Sequence, residues 1–173
     1  MTDLIKAMNP TAPLTTEDVA LAAARVSAVG MVIGAINQAV AGWYASTPEA
    51  VEAAGRMVEQ FTGQAPDPAA LAQQSQIGLG MTGAFVVLQL VLAFVQWRKP
   101  NQVLPILFLV LVIWGLGGAL ISIFAPAFSG GQPMWLTVFT LVALSVAAIM
   151  HVAAIRGASA LDKIRTNAAK YQA

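Results

Sequence analysis

Arg25, Asn37, Gln38, Gln89, His151 and, at an edge, Arg156 are polar side chains set in or beside stretches otherwise suited to lipid, and any chemistry would reside with them. A polar group in hydrocarbon is expensive, so each marks an ion path, a ligand site or a hydrogen bond between helices. His151 is the single histidine, so one chain cannot supply two axial imidazoles to a haem iron; that would take two copies. Paired with Arg156 one turn on, His151 could serve an enzyme acting on lipid or quinone at the cytoplasmic surface. Arg25 is expected to snorkel to the headgroups or to pair with Glu17, Asp18 or a lipid phosphate, the alternative being an ion path. Asn37, Gln38 and Gln89 either join helices or line a polar route. The apolar stretches carry no carboxylate in their interiors, which argues against a proton-coupled carrier. With no Cys, disulfides, iron–sulfur clusters, thiolate nucleophiles and Cys-based zinc sites are excluded. No catalytic, metal or nucleotide motif stands out, so the expectation is a protein without catalytic residues or cofactor.

Small residues at fourfold spacing are more informative. Gly30 and Gly34 form Gly-x-x-x-Gly, continued at Gln38 and Gly42. Gly80 with Ala84, Gly115 with Ala119, Gly118 with Ser122, and Ala143 with Ala147 repeat the interval. In lipid, helices gain little from hiding apolar surface from one another, so close backbone approach supplies the attraction. These faces are expected to be seams of one bundle, or, for Gly30 and Gly34 above all, to dock on another membrane subunit or a second copy. Trp114, in mid-segment rather than at an interface, suits a wedge that is buried or turned to a partner.

The elements that must position these residues follow from where charge is missing. The chain is 58% hydrophobic and 10% charged, against about 25% charged in a typical soluble domain. No Asp, Glu, Lys or Arg occurs from Pro100 to Ile155, and a turn-like Phe124-Ala-Pro-Ala-Phe-Ser-Gly-Gly-Gln-Pro133 divides that run in two. A bilayer core takes about 20 helical residues. Crossings are expected near 19–45, 77–97, 103–125 and 135–155, so the fold class is all-α, a four-helix transmembrane bundle in one domain.

Thr15 to Asp18 opens the first crossing with a capping hydroxyl and acids at the positive helix end, and Trp43-Tyr44 anchors its far end. Ser46 and Glu49 have capping-box spacing before a helix over 47–62, whose Val51, Ala54, Val58 and Phe61 share one side. It should be amphipathic and lie outside the bilayer. Asp67-Pro68 starts the next helix, and the basic Arg98-Lys99-Pro100-Asn101 turns the chain back. Leu4, Ile5 and Met8 form a small apolar face suited either to a frayed tail or to an interfacial foot, and 156–173 is a basic tail in which Ala160 to Tyr171 could stay helical and project into water. A signal peptide cut after Ala39-Val40-Ala41 is disfavoured by the long acidic leader and by Asn37-Gln38 before the cut.

Putting both termini and the 98–101 turn on one side gathers there all but Arg56 of the nine Lys and Arg residues. The positive-inside rule makes that side cytoplasmic in an inner membrane. The formal charge of +1 is not gathered into a patch, so no nucleic acid is expected as partner; membrane lipid and other membrane subunits are. A non-enzymatic accessory or assembly subunit is the leading expectation. A small transporter or homo-oligomeric channel is the alternative, and a lipid- or quinone-acting enzyme comes third.

Overall fold

A computed structural model describes residues 6–124 and 132–170. Leu4, Ile5, the centre of the turn after Phe124 and Tyr171 lie outside them. Five helices account for most of the described chain: α1 (Glu17–Ala45), α2 (Pro48–Thr62), α3 (Pro68–Arg98), α4 (Val103–Phe124) and α5 (Met134–Lys170). No strand occurs among the described residues. α1, α3, α4 and α5 are each long and apolar enough to cross a membrane, which suggests a multi-pass membrane protein.

Local chemistry sets the ends. The Thr16 hydroxyl accepts from Val19 N at 3.4 Å, and Glu17 and Asp18 occupy the first turn of α1. At its far end the Ser46 hydroxyl donates to Trp43 O at 2.7 Å and that of Thr47 to Tyr44 O at 2.8 Å, satisfying carbonyls the helix leaves unpaired. Two residues join α1 to α2, so Ser46 closes the first helix instead of forming the expected box with Glu49, and Thr47 caps the second through Ala50 N. Gly63, at φ 72°, ends α2 in the left-handed region that only glycine enters freely. Asp67 accepts from Ala69 N at 2.9 Å with Pro68 in the first turn of α3. The side chain of Asn101 accepts from Val103 N and Leu104 N, at 2.9 and 3.1 Å, and so starts α4.

α1 is the central helix, with α5 along one flank and α3 along another; α4 packs on α5 rather than on α3, to which the turn joins it. Most residues of α3 that turn inward, Leu71, Ser75, Thr82, Val86, Gln89, Ala93 and Gln96, recur at steps of three, four or seven that keep one helix face, with Leu92 beside them. Three apolar clusters fill the bundle. Ala23, Val26 and Met150 enclose Ala7 with Met8 and Leu14 beside it; Ala28 and Met31 meet Ala93 and Phe108; Val112 meets Leu144 and Ala147. Ala7, Met8 and Leu14 therefore pack on the bundle, while Asn9, Thr11 and Pro13 between them are exposed. At the opposite end Tyr44 meets Trp135 edge to face, centroids 6.3 Å apart.

α5 runs 37 residues without interruption, about 55 Å at 1.5 Å per residue, well beyond a core of about 30 Å. Its last turns are helical but do not all stand free. Gly157, Ala158 and Leu161 are buried, and Arg165 Nε meets Glu17 Oε1 at 2.9 Å. Both partners of that pair are more than half exposed, so it contributes about 0.2–1 kcal/mol at most; the apolar contacts before it hold the extension.

Candidate functional site

The buried polar groups gather where α1 meets its two flanking helices. Toward α5, α1 presents Ala23, Ala24, Ser27 and Gly30, all buried and small. The approach is close enough that a methyl group on Gly30 would lie 3.2 Å from Met150 Cβ and 3.3 Å from His151 Cε1. At that separation a short serine side chain reaches the imidazole, and Ser27 Oγ and His151 Nδ1 share a hydrogen bond of 2.8 Å. Phe108 of α4 stacks on the ring at 29°, centroids 6.0 Å apart. Nε2 is buried and without a hydrogen-bond partner among the described residues.

A serine bonded to a histidine is half of a nucleophile–base pair. Here both residues are 0% exposed, and no group of three His, Cys, Asp or Glu able to hold a metal occurs among the described residues. Arg156 is exposed; five residues after His151, it lies about 140° around the helix. The two are not brought together. As placed, the pair ties α1, α4 and α5 into one contact.

That role makes a prediction. His151→Leu should change stability by less than about 1.5 kcal/mol, since a similar volume stays under Phe108. The Ser27 hydroxyl can turn back to Ala23 O in its own helix. Thermal unfolding in detergent measures it, and a much larger loss would show that the hydrogen bond itself, rather than packing, holds the helices.

Toward α3 the contacts are amides reaching backbone. Gln89 Nε2 donates to Met31 O at 2.8 Å and Gln96 Nε2 to Ala24 O at 3.1 Å. Donors and acceptors are each seven residues apart and run oppositely, as antiparallel helices require. Both carbonyls have a second lone pair to offer beyond their helical bonds. Gln96 is fully buried and also binds the turn, donating to Asn101 O at 3.1 Å and accepting from Asn101 N at 3.4 Å. Arg25 does not pair with Glu17 or Asp18; its Nε donates to Trp97 O at 3.1 Å, with the guanidinium 5.7 Å from the Trp97 ring centroid. A cation there also suits the negative end of α3.

No family model, curated protein or solved structure matches this chain.

The candidate residues divide by what lies opposite them. Gly30 faces α5, whereas Gly34 and Gly42 face α3, where added methyl groups would meet Gln89 Nε2 and Thr82 Cγ2. Gln38 is half-buried one turn beyond Gly34. Gly115 faces Leu144 Cδ1, and Ala119, Ala143 and Ala147 are buried, so the α4–α5 seam also uses small residues. Gly80 and Ala84 differ: both are exposed, and nothing lies within 4 Å of where a methyl on Gly80 would stand. They are not a seam of this bundle. Gly118 is open as well, and Ser122 binds its carbonyl at 3.0 Å within the helix. Asn37 is buried with Oδ1 accepting no hydrogen bond among the described residues. Reasoning from sequence missed Ser27, Gln96 and Gly157. The heptad step from Gln89 to Gln96 was the available signal for the second.

Proposed function

We propose that this protein is a non-enzymatic accessory or assembly subunit of a larger complex in the inner membrane, crossing it four times with both termini in the cytoplasm. It acts by helix packing with other membrane subunits or a second copy of itself. The support for orientation is the charge count above: Arg56 alone among the Lys and Arg residues falls in the segment between α1 and α3. That segment, with the amphipathic α2, then faces outward, which in a bacterium is the periplasm.

The observation that carries the assembly role is the outer face of α3. Gly80 and Ala84 are exposed on the side away from the inward row that ends in Gln96, with exposed Gly83 on its flank, and a methyl added to either glycine would have nothing within 4 Å. Large apolar side chains facing lipid lose nothing there. A glycine stripe presents backbone and a shallow groove instead, which another helix fills better than flexible acyl chains do. On α4, Trp114 is 85% exposed, a large rigid side chain free to enter such a groove.

Gly80→Leu tests the reading. In mild detergent with cross-linking, the unsubstituted chain should be recovered with a partner or as an oligomer. The variant should lose that association while its own unfolding temperature is not lowered, because a Cβ at this position has open space around it and leucine favours the helix over glycine. Recovery of the unsubstituted protein always alone and monomeric counts against the proposal, as does association indifferent to the substitution.

A further inference from the structure

Between α1 and α3, on the outside of the bundle, runs an apolar groove of about 420 Å³ lined by Ala28, Val29, Val32, Leu90, Ala93, Phe94 and Trp97. The two aromatic side chains at its 94–97 end each carry a guanidinium. Arg25 Cζ lies 5.7 Å from the Trp97 centroid and Arg98 Cζ 5.3 Å from that of Phe94. An otherwise hydrocarbon-lined slot thus has a guanidinium beside each of the two aromatic rings at this end.

We propose that this groove is a binding site for an anionic phospholipid, with an acyl chain along Val32, Leu90 and Phe94 and the phosphate between Arg25 and Arg98. The proposal rests on the four helices crossing a bilayer and not on the assembly role. Several features favour this occupant. Arg25 uses Nε to hold Trp97 O, and a guanidinium has five N–H donors, so its two Nη groups remain for a phosphate in forked geometry. The Arg98 side chain makes no hydrogen bond or ion pair among the described residues and lies beside the Phe94 ring. Of the two acids in the first turn of α1, Glu17 is paired with Arg165, and Asp18 forms no ion pair with Arg25 or Arg98 among the described residues. The groove itself offers almost nothing polar, which suits an acyl chain and excludes a sugar or nucleotide. Basic pockets between helices at the cytoplasmic face hold acidic headgroups for these reasons.

Trp97 is a built-in reporter. With Trp43, Trp114 and Trp135 changed to Phe, the chain is reconstituted in phosphatidylcholine vesicles in which either brominated phosphatidylglycerol or brominated phosphatidylcholine is the minor quenching lipid. The expected result is stronger quenching by the anionic lipid, a preference of roughly fivefold for each arginine engaged. Arg98→Gln should reduce the preference and Arg25→Gln,Arg98→Gln should abolish it, whereas Lys163→Gln leaves it intact. Arg98→Gln alone suffices should the double variant fail to fold. Native mass spectrometry of the unsubstituted chain, seeking retained phosphatidylglycerol that Arg98→Gln loses, repeats the test without the Trp changes. Equal quenching by the two lipids overturns the site, and so does a preference that survives both Arg substitutions. Loss of the preference on adding millimolar inorganic phosphate overturns the lipid assignment in favour of a free-anion site. Absence of quenching by either lipid overturns bilayer insertion, and the site with it. A protein that shows the preference yet never associates with a partner keeps this site and loses only the assembly role.

Discussion

Gly157→Ala is expected to destabilise the protein by about 3 kcal/mol, the upper part of the range for overpacking a close contact. The added methyl would stand against Ala24 N and within 2.7 Å of both Ala23 C and Ala23 Cβ. Two of those atoms are backbone of a helix, which cannot rotate aside as a side chain does, so α1 and α5 must separate. The separation would spread along the seam to Ser27, Gly30 and His151, loosening Phe108 as well. Gly78→Ala and Gly117→Ala are the controls, since neither position has a neighbour within 4 Å. Alanine's higher helix propensity should leave them unchanged or more stable, by up to about 1 kcal/mol. Chemical unfolding in detergent, followed by circular dichroism, compares the three. Ala23→Gly should rescue Gly157→Ala in part, by removing one of the opposed atoms and not the other two. A Gly157→Ala protein as stable as the parent would mean that α1 and α5 are not held at this distance.

What the chain reveals to a reader of its sequence is what local physics decides. Charge-free runs place the four apolar helices, because an ionised side chain cannot sit deep in lipid whatever surrounds it. Thr16, Asp67 and Gly63 mark helix ends because a cap bonds within a few residues of itself. Even there the short α1–α2 link shifted the cap by one residue, Ser46 being drawn to Trp43 O. Which faces meet was much less legible. In a soluble helix the apolar side identifies the core, but these helices are apolar all round and the inward side of α3 is distinguished by Ser75, Thr82, Gln89 and Gln96. Small residues at fourfold spacing mark a face that can be approached closely and leave open what approaches. Gly30 meets α5, Gly34 meets α3 and Gly80 meets nothing of its own chain, on the same sequence signal. Gly157 was hidden for another reason. It follows Arg156, beyond the charge-free run, and so falls in what looks like a solvated tail, although the packed part of α5 extends to Leu161.

Gln96 was hidden by its neighbours Trp97 and Arg98, which make the end of α3 read as an interfacial edge, and Gln96→Leu is expected to cost about 1–3 kcal/mol. Leucine fills similar space, so the cavity contribution is small and the loss lies in what is left unpaired. Ala24 O keeps its bond within α1. Asn101 N and Asn101 O lose the amide that serves both of them in a partly buried turn. Because Asn101 also caps Val103 and Leu104, a loosened turn releases the first turns of α4, where Phe108 covers His151. Gln89→Leu provides the comparison: its amide binds Met31 O, a helical carbonyl that remains satisfied without it, so the cost should stay under about 1 kcal/mol. Hydrogen exchange at the amides of residues 101–104 separates the two, speeding up in Gln96→Leu and unchanged in Gln89→Leu. Equal destabilisation with no change in that exchange would show that each glutamine acts simply as a bridge between α1 and α3, and that the turn holds itself. The expected asymmetry follows from geometry: one glutamine joins two helices, while the other joins two helices and also closes the loop that aims a third.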